Sequence, residues 1–216
     1  MRSIISIAAA FALIAFAGTT VNAQFNHPDV FGATVDYTDI EETTNTGSEL
    51  FGAPSVSGDN LVFPVSGYTT NAVDSAVDFL NGSVELTATS DSSFNSVSVS
   101  EFGIYTNLGA TSESTVATFL FVTVDGVTFS ESILQTFGEG IDSWTADLTV
   151  EIPDTASAIV RVHNILTSTA GAGEIASIAK RDAQVQIDSS KAIPEPAAAS
   201  LLALGIAGFA ARRRRA

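Results

Sequence analysis

Apolar and polar residues alternate along most of the chain between residues 24 and 192, and no long stripe of apolar residues follows the helical period. The clearest stretch is 144–152, in which Trp144 and every second residue after it are apolar. Because successive side chains of a strand point to opposite faces, this stretch predicts a strand with one face in a core and the other in water. About ten short strands follow from such patterns.

Two runs, at 119–124 and 159–162, are more continuously apolar than the rest. Runs of this kind are typical of strands that are packed on both faces. Further strands are expected at 33–41, 96–101 and 173–179.

The residues between the apolar stretches are those that form tight turns. Asp125-Gly126 and Asn81-Gly82 each predict a two-residue type I′ hairpin turn, since Asp, Asn and Gly tolerate positive φ. Residues 57–60 predict a looser turn between two further strands. Short strands joined by polar turns predict an all-β fold, a two-sheet antiparallel β-sandwich of jelly-roll type.

The N-terminus has the three parts of a secretory signal peptide. Arg2 precedes an apolar run at 4–17, and the small residues Val21 and Ala23 flank Asn22. We therefore expect a signal helix over residues 1–23, with cleavage between Ala23 and Gln24.

The C-terminus combines a short motif, an apolar run and a basic stop. Pro194, Glu195 and Pro196 precede an apolar run at 197–211, and four arginines follow, Arg212, Arg213, Arg214 and Arg215. A helix of this run covers roughly 22 Å, which is short of the about 30 Å of a hydrocarbon core. We expect a short transmembrane helix whose arginines stay on the cytoplasmic side.

These three parts, in this order at the terminus, resemble the PEP-CTERM sorting domain of bacterial exported proteins. The resemblance implies recognition by an exosortase-type processing enzyme, removal of the tail after transient membrane anchoring, and release to the cell surface or an extracellular polysaccharide matrix. The chain then divides into a signal peptide (1–23), a β-sandwich domain (24–192) and a sorting signal (193–216).

The central domain is strongly acidic once the two ends are set aside. Of the 24 acidic residues in the chain only Glu195 lies in the sorting signal, whereas the domain has only Arg161, Lys180, Arg181 and Lys191 as bases. Such a surface repels phosphate backbones and anionic headgroups. We expect no nucleic-acid partner, and solubility explains the charge more simply than a specific ion does.

The residues that carry most enzyme chemistry are few. The chain has no cysteine and only two histidines, His27 in a mobile N-terminal segment and His163 at the end of a strand. Neither forms a zinc site or a serine triad by its spacing. Asp147 and Glu151 lie on one strand face at roughly 13 Å, too far apart for a glycosidase pair. We expect no enzyme and no catalytic residue.

We also expect no metal site and no cofactor, with calcium as the one exception considered. The candidate ligands are Asp36, Asp39, Glu41 and Glu42, or the turn at Asp59, because calcium binds carboxylate oxygens. A solvated acidic surface explains them more simply than a calcium site does.

Two functions remain open. The first is a non-catalytic surface or matrix component, and the second is a carbohydrate-binding module acting on extracellular polysaccharide. Trp144 belongs to an apolar strand face and is expected in the core, so Tyr37, Tyr68 and Tyr105 are the candidates for a sugar-binding aromatic surface.

Overall fold

The computed structural model describes residues 22–188, which form an all-β body. Both ends of the chain, including most of the expected signal helix and the whole sorting signal, lie outside the described residues. Within 22–188 no helix is long and apolar enough to cross a membrane. The strands of this range are β1 (Ala23–Asn26), β2 (Val30–Phe31), β3 (Val35–Thr44), β4 (Ser55–Ser57), β5 (Asn60–Phe63), β6 (Thr69–Val73), β7 (Val77–Leu108), β8 (Glu113–Val124), β9 (Val127–Phe137), β10 (Gly140–Thr169) and β11 (Ile175–Asp188).

The strands pair antiparallel, and the two longest organise the fold. The first part of β7 pairs with β3 and with the last part of β10, whereas its second part pairs with β11 and with the first part of β10. Strand β8 pairs with the last part of β10, on the edge that faces away from β7, and β9 pairs with β8. Strands β5 and β6 pair with β11, which lies beside the second part of β7. The sheet therefore has two parts, which we name the first layer and the second layer.

The register of the two long strands breaks where they pass from one layer to the other. The pairing of β10 with β7 is regular up to Glu151 and is interrupted on either side of Thr155. Pro153 lies inside this interruption. Because proline cannot donate a backbone hydrogen bond, it is tolerated at such a bulge and not in a central ladder. The predicted strand 144–152 is confirmed up to this point.

One buried cluster joins the layers. Val84 and Leu86 of the first layer and Val97 and Val99 of the second belong to the same set of packed apolar side chains. Trp144 is buried in this cluster, as expected, and every second residue after it to Ile152 is buried too. The period-two pattern therefore identified the inner face correctly.

Two of the three predicted turns are confirmed. Asp125 and Gly126 join β8 to β9 with φ of 50° and 79°, and the flanking Val124 and Val127 are paired. Gly58 and Asp59 join β4 to β5. Positive φ at these positions is the reason that the sequence places glycine there.

The predicted hairpin at Asn81-Gly82 is wrong. Both residues lie inside β7, where Gly82 pairs with Thr44 on one side and Asn164 on the other. A Cβ at Gly82 would lie 3.1 Å from the Tyr68 hydroxyl oxygen. Glycine is present here because the Tyr68 side chain approaches the backbone closely. In the sequence, such a glycine cannot be told from one that forms a turn.

The two apolar runs are not packed on both faces. In β8, Leu120 and Val122 are fully buried whereas Phe119 is half-buried, and in β10 Ile159 is 46% exposed. The two runs therefore combine a core face with an outer face on which apolar side chains lie beside Arg161.

Candidate functional site

The predicted sorting and cleavage residues are described only at the N-terminal end. Pro194, Glu195, Pro196 and the four terminal arginines lie outside the described residues. Ala23 and Gln24 begin β1, where they pair with Thr44 and Thr43. Cleavage between them would leave the rest of β1 paired with β3, and it stays a prediction.

The outer face of the first layer brings together an aromatic and basic surface. In β10, His163 lies directly opposite Phe119 of β8, and Arg161 lies opposite Phe121. On the other side of β10, His163 lies opposite Ser83 of β7. Directly opposed residues of neighbouring strands have side chains in contact range. We name Phe119, Phe121, Arg161 and His163 the Phe119 face.

The rings of the Phe119 face lie almost parallel. The centroids of Phe119 and Phe121 are 6.4 Å apart with planes at 10°, and those of Phe119 and His163 are 5.6 Å apart at 29°. The Arg161 guanidinium carbon lies 4.7 Å from the centroid of the Phe121 ring. The two phenylalanines are half-buried, so they present ring surface to solvent.

A polar pocket of about 260 Å³ adjoins this face. Arg161 and His163 line it from the face, and amide and hydroxyl side chains from β3, β7 and the segment before β1 complete it. The remaining lining residues are Asn22, Thr43, Thr44, Asn45, Asn81 and Ser83. Cleavage after Ala23 would remove Asn22 from this pocket.

His163 is neutral in this setting. Burial lowers its pKa from 6.5 to about 4, and the nearby Arg161 charge acts in the same direction. Its Nε2 lies 2.6 Å from Asn81 Oδ1, so the neutral ring donates to the amide oxygen. Apart from the Arg161 guanidinium, the pocket thus offers uncharged donors and acceptors beside an aromatic surface, a combination that suits ligands with both apolar faces and hydroxyl groups.

Two of the three tyrosines proposed for a binding surface lie in the core instead. Tyr37 and Tyr68 are fully buried, and Tyr105 is half-buried and stacked on Phe137 at 4.5 Å between centroids. The Tyr68 hydroxyl donates to the backbone oxygen of Asn164 at 2.8 Å, which explains why a polar ring is tolerated in the core. The signal that could have found Phe119 and Phe121 is their alternation with Leu120 and Val122 in a strand.

The carboxylates considered as calcium ligands are not grouped either. Asp36 and Asp39 are exposed, Glu41 is half-buried and Glu42 is fully buried. Asp59 accepts from the backbone of Thr34 at 2.6 Å and of Val35 at 3.2 Å. Burial would raise the pKa of Asp59, yet these hydrogen bonds outweigh it and lower the pKa. Within residues 22–188 no three His, Cys, Asp or Glu side chains are grouped to hold a metal ion.

The expectation that His27 is mobile is wrong. Its side chain is buried, and its Nε2 lies 3.2 Å from Oε2 of Glu42. The same carboxylate accepts from the backbone nitrogens of Leu50, Phe51 and Gly52. Because β1 pairs with β3, the segment around His27 is fixed against the body.

Comparison with known proteins identifies only the tail. The family model described as the PEP-CTERM protein-sorting motif matches residues 192–215, which confirms the resemblance noted in the sequence. No curated protein matches the chain.

Among solved structures, the chain is similar to TmCBM61 in complex with β-1,4-galactotriose, at 12% identity over 60% of this chain and 83% of that one, with a TM-score of 0.31. It is also similar to the C-terminal family 22 carbohydrate-binding module of Clostridium thermocellum Xyn10B, at 14% identity over 59% and 89%, with a TM-score of 0.26. The enzymatically active domain of bacteriophage CBA120 tailspike protein 4 matches at 13% identity over 79% of this chain and 20% of that one, with a TM-score of 0.28. All three scores are below 0.5, so the proposals below depend on the residues of this chain alone.

Proposed function

We propose that this chain, an exported protein that carries the PEP-CTERM sorting motif at residues 192–215, is a non-catalytic component of the cell surface or the extracellular matrix. The motif is the observation that carries the proposal, because it gives the destination of the protein. An exosortase-type enzyme is its processing partner, and the apolar run at 197–211 is its transient membrane anchor.

The use of the carboxylates in the acidic body supports a structural role. Glu42 and Asp59 each accept several hydrogen bonds from backbone nitrogens of neighbouring loops. Glu174 likewise accepts from Thr111 and Ser112, and these bonds lower its pKa. Carboxylates that hold loops in this way stabilise the fold. We further infer that the two layers form a sandwich of jelly-roll type, since one buried cluster fills the space between them.

Deletion of residues 193–216 in the producing organism tests the sorting proposal. We expect the truncated protein to be lost from the cell surface and to accumulate in the medium, because the signal for retention is gone. A matched control replaces Arg181 by Gln, which changes one exposed charge of the body and leaves the tail intact. Unchanged surface retention of the truncated protein would overturn the proposal.

The Phe119 face favours a second function, the binding of extracellular polysaccharide. Its parallel rings offer apolar surface for the faces of sugar rings, and the neutral His163, Asn81 and Ser83 offer hydrogen bonds to hydroxyl groups. Arg161 provides a cation in an otherwise acidic domain, which suits a polysaccharide that bears some carboxylate groups.

Affinity electrophoresis through gels that contain the matrix polysaccharide of the producing organism tests this second function. We expect the wild-type protein to be retarded and Phe119→Ala to migrate freely, since the variant removes a ring that stacks with two others. Phe31→Ala is the matched control, because Phe31 is 68% exposed and lies on β2, in a different part of the layer. Equal migration of the wild type and Phe119→Ala would rule out binding by this face.

A further inference from the structure

Four buried polar side chains meet between the two layers. Lys180 of β11 and Glu101 of β7 come from the second layer, and Asn164 of β10 and Thr118 of β8 come from the first. The Lys180 and Glu101 side chains have no exposed surface, and Asn164 and Thr118 are likewise fully buried. This cluster has no part in the sorting signal or the Phe119 face.

The cluster is closely hydrogen-bonded around the side-chain amide of Asn164. The Lys180 Nζ donates to Glu101 Oε1 and to Asn164 Oδ1, each at 2.6 Å. The Asn164 Nδ2 donates to Glu101 Oε2 at 2.8 Å and to Thr118 Oγ1 at 2.9 Å. Since lysine only donates and a carboxylate only accepts, these partners fix which end of the amide is oxygen.

An ion pair in such a place is costly for a folded protein. Removing both charges from water costs free energy that their mutual attraction offsets only in part. Burial lowers the pKa of Lys180, with the charge of Glu101 acting in the opposite direction. The rings of Phe51 and Tyr68 lie 4.6 and 5.1 Å from Nζ and exclude water from it. Burial thus shifts the amine towards its neutral, nucleophilic form.

We propose that Lys180 and Asn164 condense within the folded chain to an isopeptide bond. Glu101 Oε1 accepts a proton from Nζ, and the freed electron pair of Nζ attacks Cγ of Asn164. A second Nζ proton then passes through the carboxyl group to Nδ2, the Cγ–Nδ2 bond breaks, and ammonia leaves. One amide bond forms and one breaks, so the step is balanced without an oxidant or a further reactant.

The observed geometry fits each part of this step. A carbonyl bond of ~1.23 Å places Cγ no more than about 3.8 Å from Nζ, close to the separation of reacting atoms in a near-attack arrangement. The two oxygens of Glu101 contact the attacking and the leaving nitrogen respectively. Thr118 Oγ1 donates to Glu101 Oε2 at 2.7 Å and holds that carboxylate in place.

The proposed bond would strengthen the attachment of the strand that precedes the sorting motif. Strand β11 is the last strand of the body and leads directly towards the sorting motif at 192–215. A pull on the tail would therefore act first on β11, and a bond from Lys180 to Asn164 would join β11 covalently to β10. A protein without cysteine cannot form a disulfide for this task.

Peptide mapping of the full-length protein tests the proposal directly. The protein is denatured, digested with trypsin, which cleaves after lysine and arginine, and analysed by mass spectrometry. We expect a peptide that runs from Val162 to Arg181, is lighter than its sequence by one ammonia molecule, and is uncut after Lys180. A peptide of unmodified mass that ends at Lys180 would overturn the proposal, whatever the variants do.

Two variants separate the bond from other causes of the same mass loss. Glu101→Gln keeps both reacting groups and removes the base, so we expect the unmodified peptide 162–180. Lys180→Arg keeps the positive charge and removes the nucleophile, and the mass loss should again disappear. A succinimide at Asn164 would also lose ammonia but would leave Lys180 open to trypsin, and this result in the wild-type protein would contradict the bond.

Discussion

At the scale of single residues, the structure depends on buried polar groups whose partners are distant in the sequence. Glu42 shows this most clearly, because its carboxylate accepts from backbone nitrogens of residues 50–52 and contacts His27. These loop nitrogens have no strand partner and would otherwise be buried without a hydrogen bond. The sequence shows Glu42 only as one of many acids, and nothing in its neighbours distinguishes it from the half-buried Glu41.

Replacement of Glu42 by Ala should therefore destabilise the protein strongly. Loss of a charged acceptor leaves several buried donors unsatisfied, and we expect the free energy of unfolding to fall by about 3 kcal/mol. Urea unfolding followed by tryptophan fluorescence measures it. Glu41→Ala removes the adjacent carboxylate as a control, and an equal loss in both variants would contradict this role of Glu42.

His163 should make stability depend on pH. Its pKa is about 4 in the folded protein, below its ordinary value of 6.5, so the unfolded chain binds the proton more readily. The neutral His163 side chain therefore contributes fully to the free energy of unfolding above about pH 6.5, and this contribution is lost as the pH falls towards 4. Between about pH 7 and pH 5 we expect a loss on the order of 2 kcal/mol.

The comparison with His163→Gln isolates this contribution, because glutamine can donate to Asn81 and does not titrate. Urea midpoints of both proteins are measured at the two pH values. The wild type should lose more stability than the variant at the lower pH. Parallel losses would show that the imidazole is not responsible.

At the scale of elements, period-two alternation was a reliable guide and turn residues were a partial one. The face that begins at Trp144 and the turn at Asp125-Gly126 agree with the structure because both are determined by local backbone geometry. Asn81-Gly82 has the same local chemistry, but Tyr68 packs against Gly82 from a remote part of the chain. A contact of this kind cannot be read from neighbouring residues, and neither can the bend of β7 and β10 between the layers.

The turn at Asp125-Gly126 predicts a specific cost of substitution. Gly126 has φ of 79°, which an alanine adopts only with strain, and we expect Gly126→Ala to lose about 1 kcal/mol of stability. Gly138→Ala is the matched control, since nothing lies within 4 Å of an added Cβ and no positive φ is required there. Thermal unfolding of both variants checks the difference, and equal midpoints would contradict the strained turn.

At the scale of the whole molecule, the destination could be predicted from the sequence and the proposed binding surface could not. The sorting motif is a contiguous segment whose meaning does not depend on the fold, and residues 192–215 match it. The Phe119 face joins side chains from β8 and β10 that are forty or more positions apart. The predictions for Tyr37 and Tyr68 are wrong for the same reason, because their burial is decided by the packing of the two layers.

The proposed function requires that the C-terminal signal displays the acidic body outside the cell. It is tested most directly by binding an antibody against the body to intact cells of the producing organism and to their surrounding matrix. We expect the full-length protein to be detected without permeabilising the cells, and a variant with Pro194, Glu195 and Pro196 replaced by Ala to be absent from both. Detection of the full-length protein only after the cells are opened would contradict the claim.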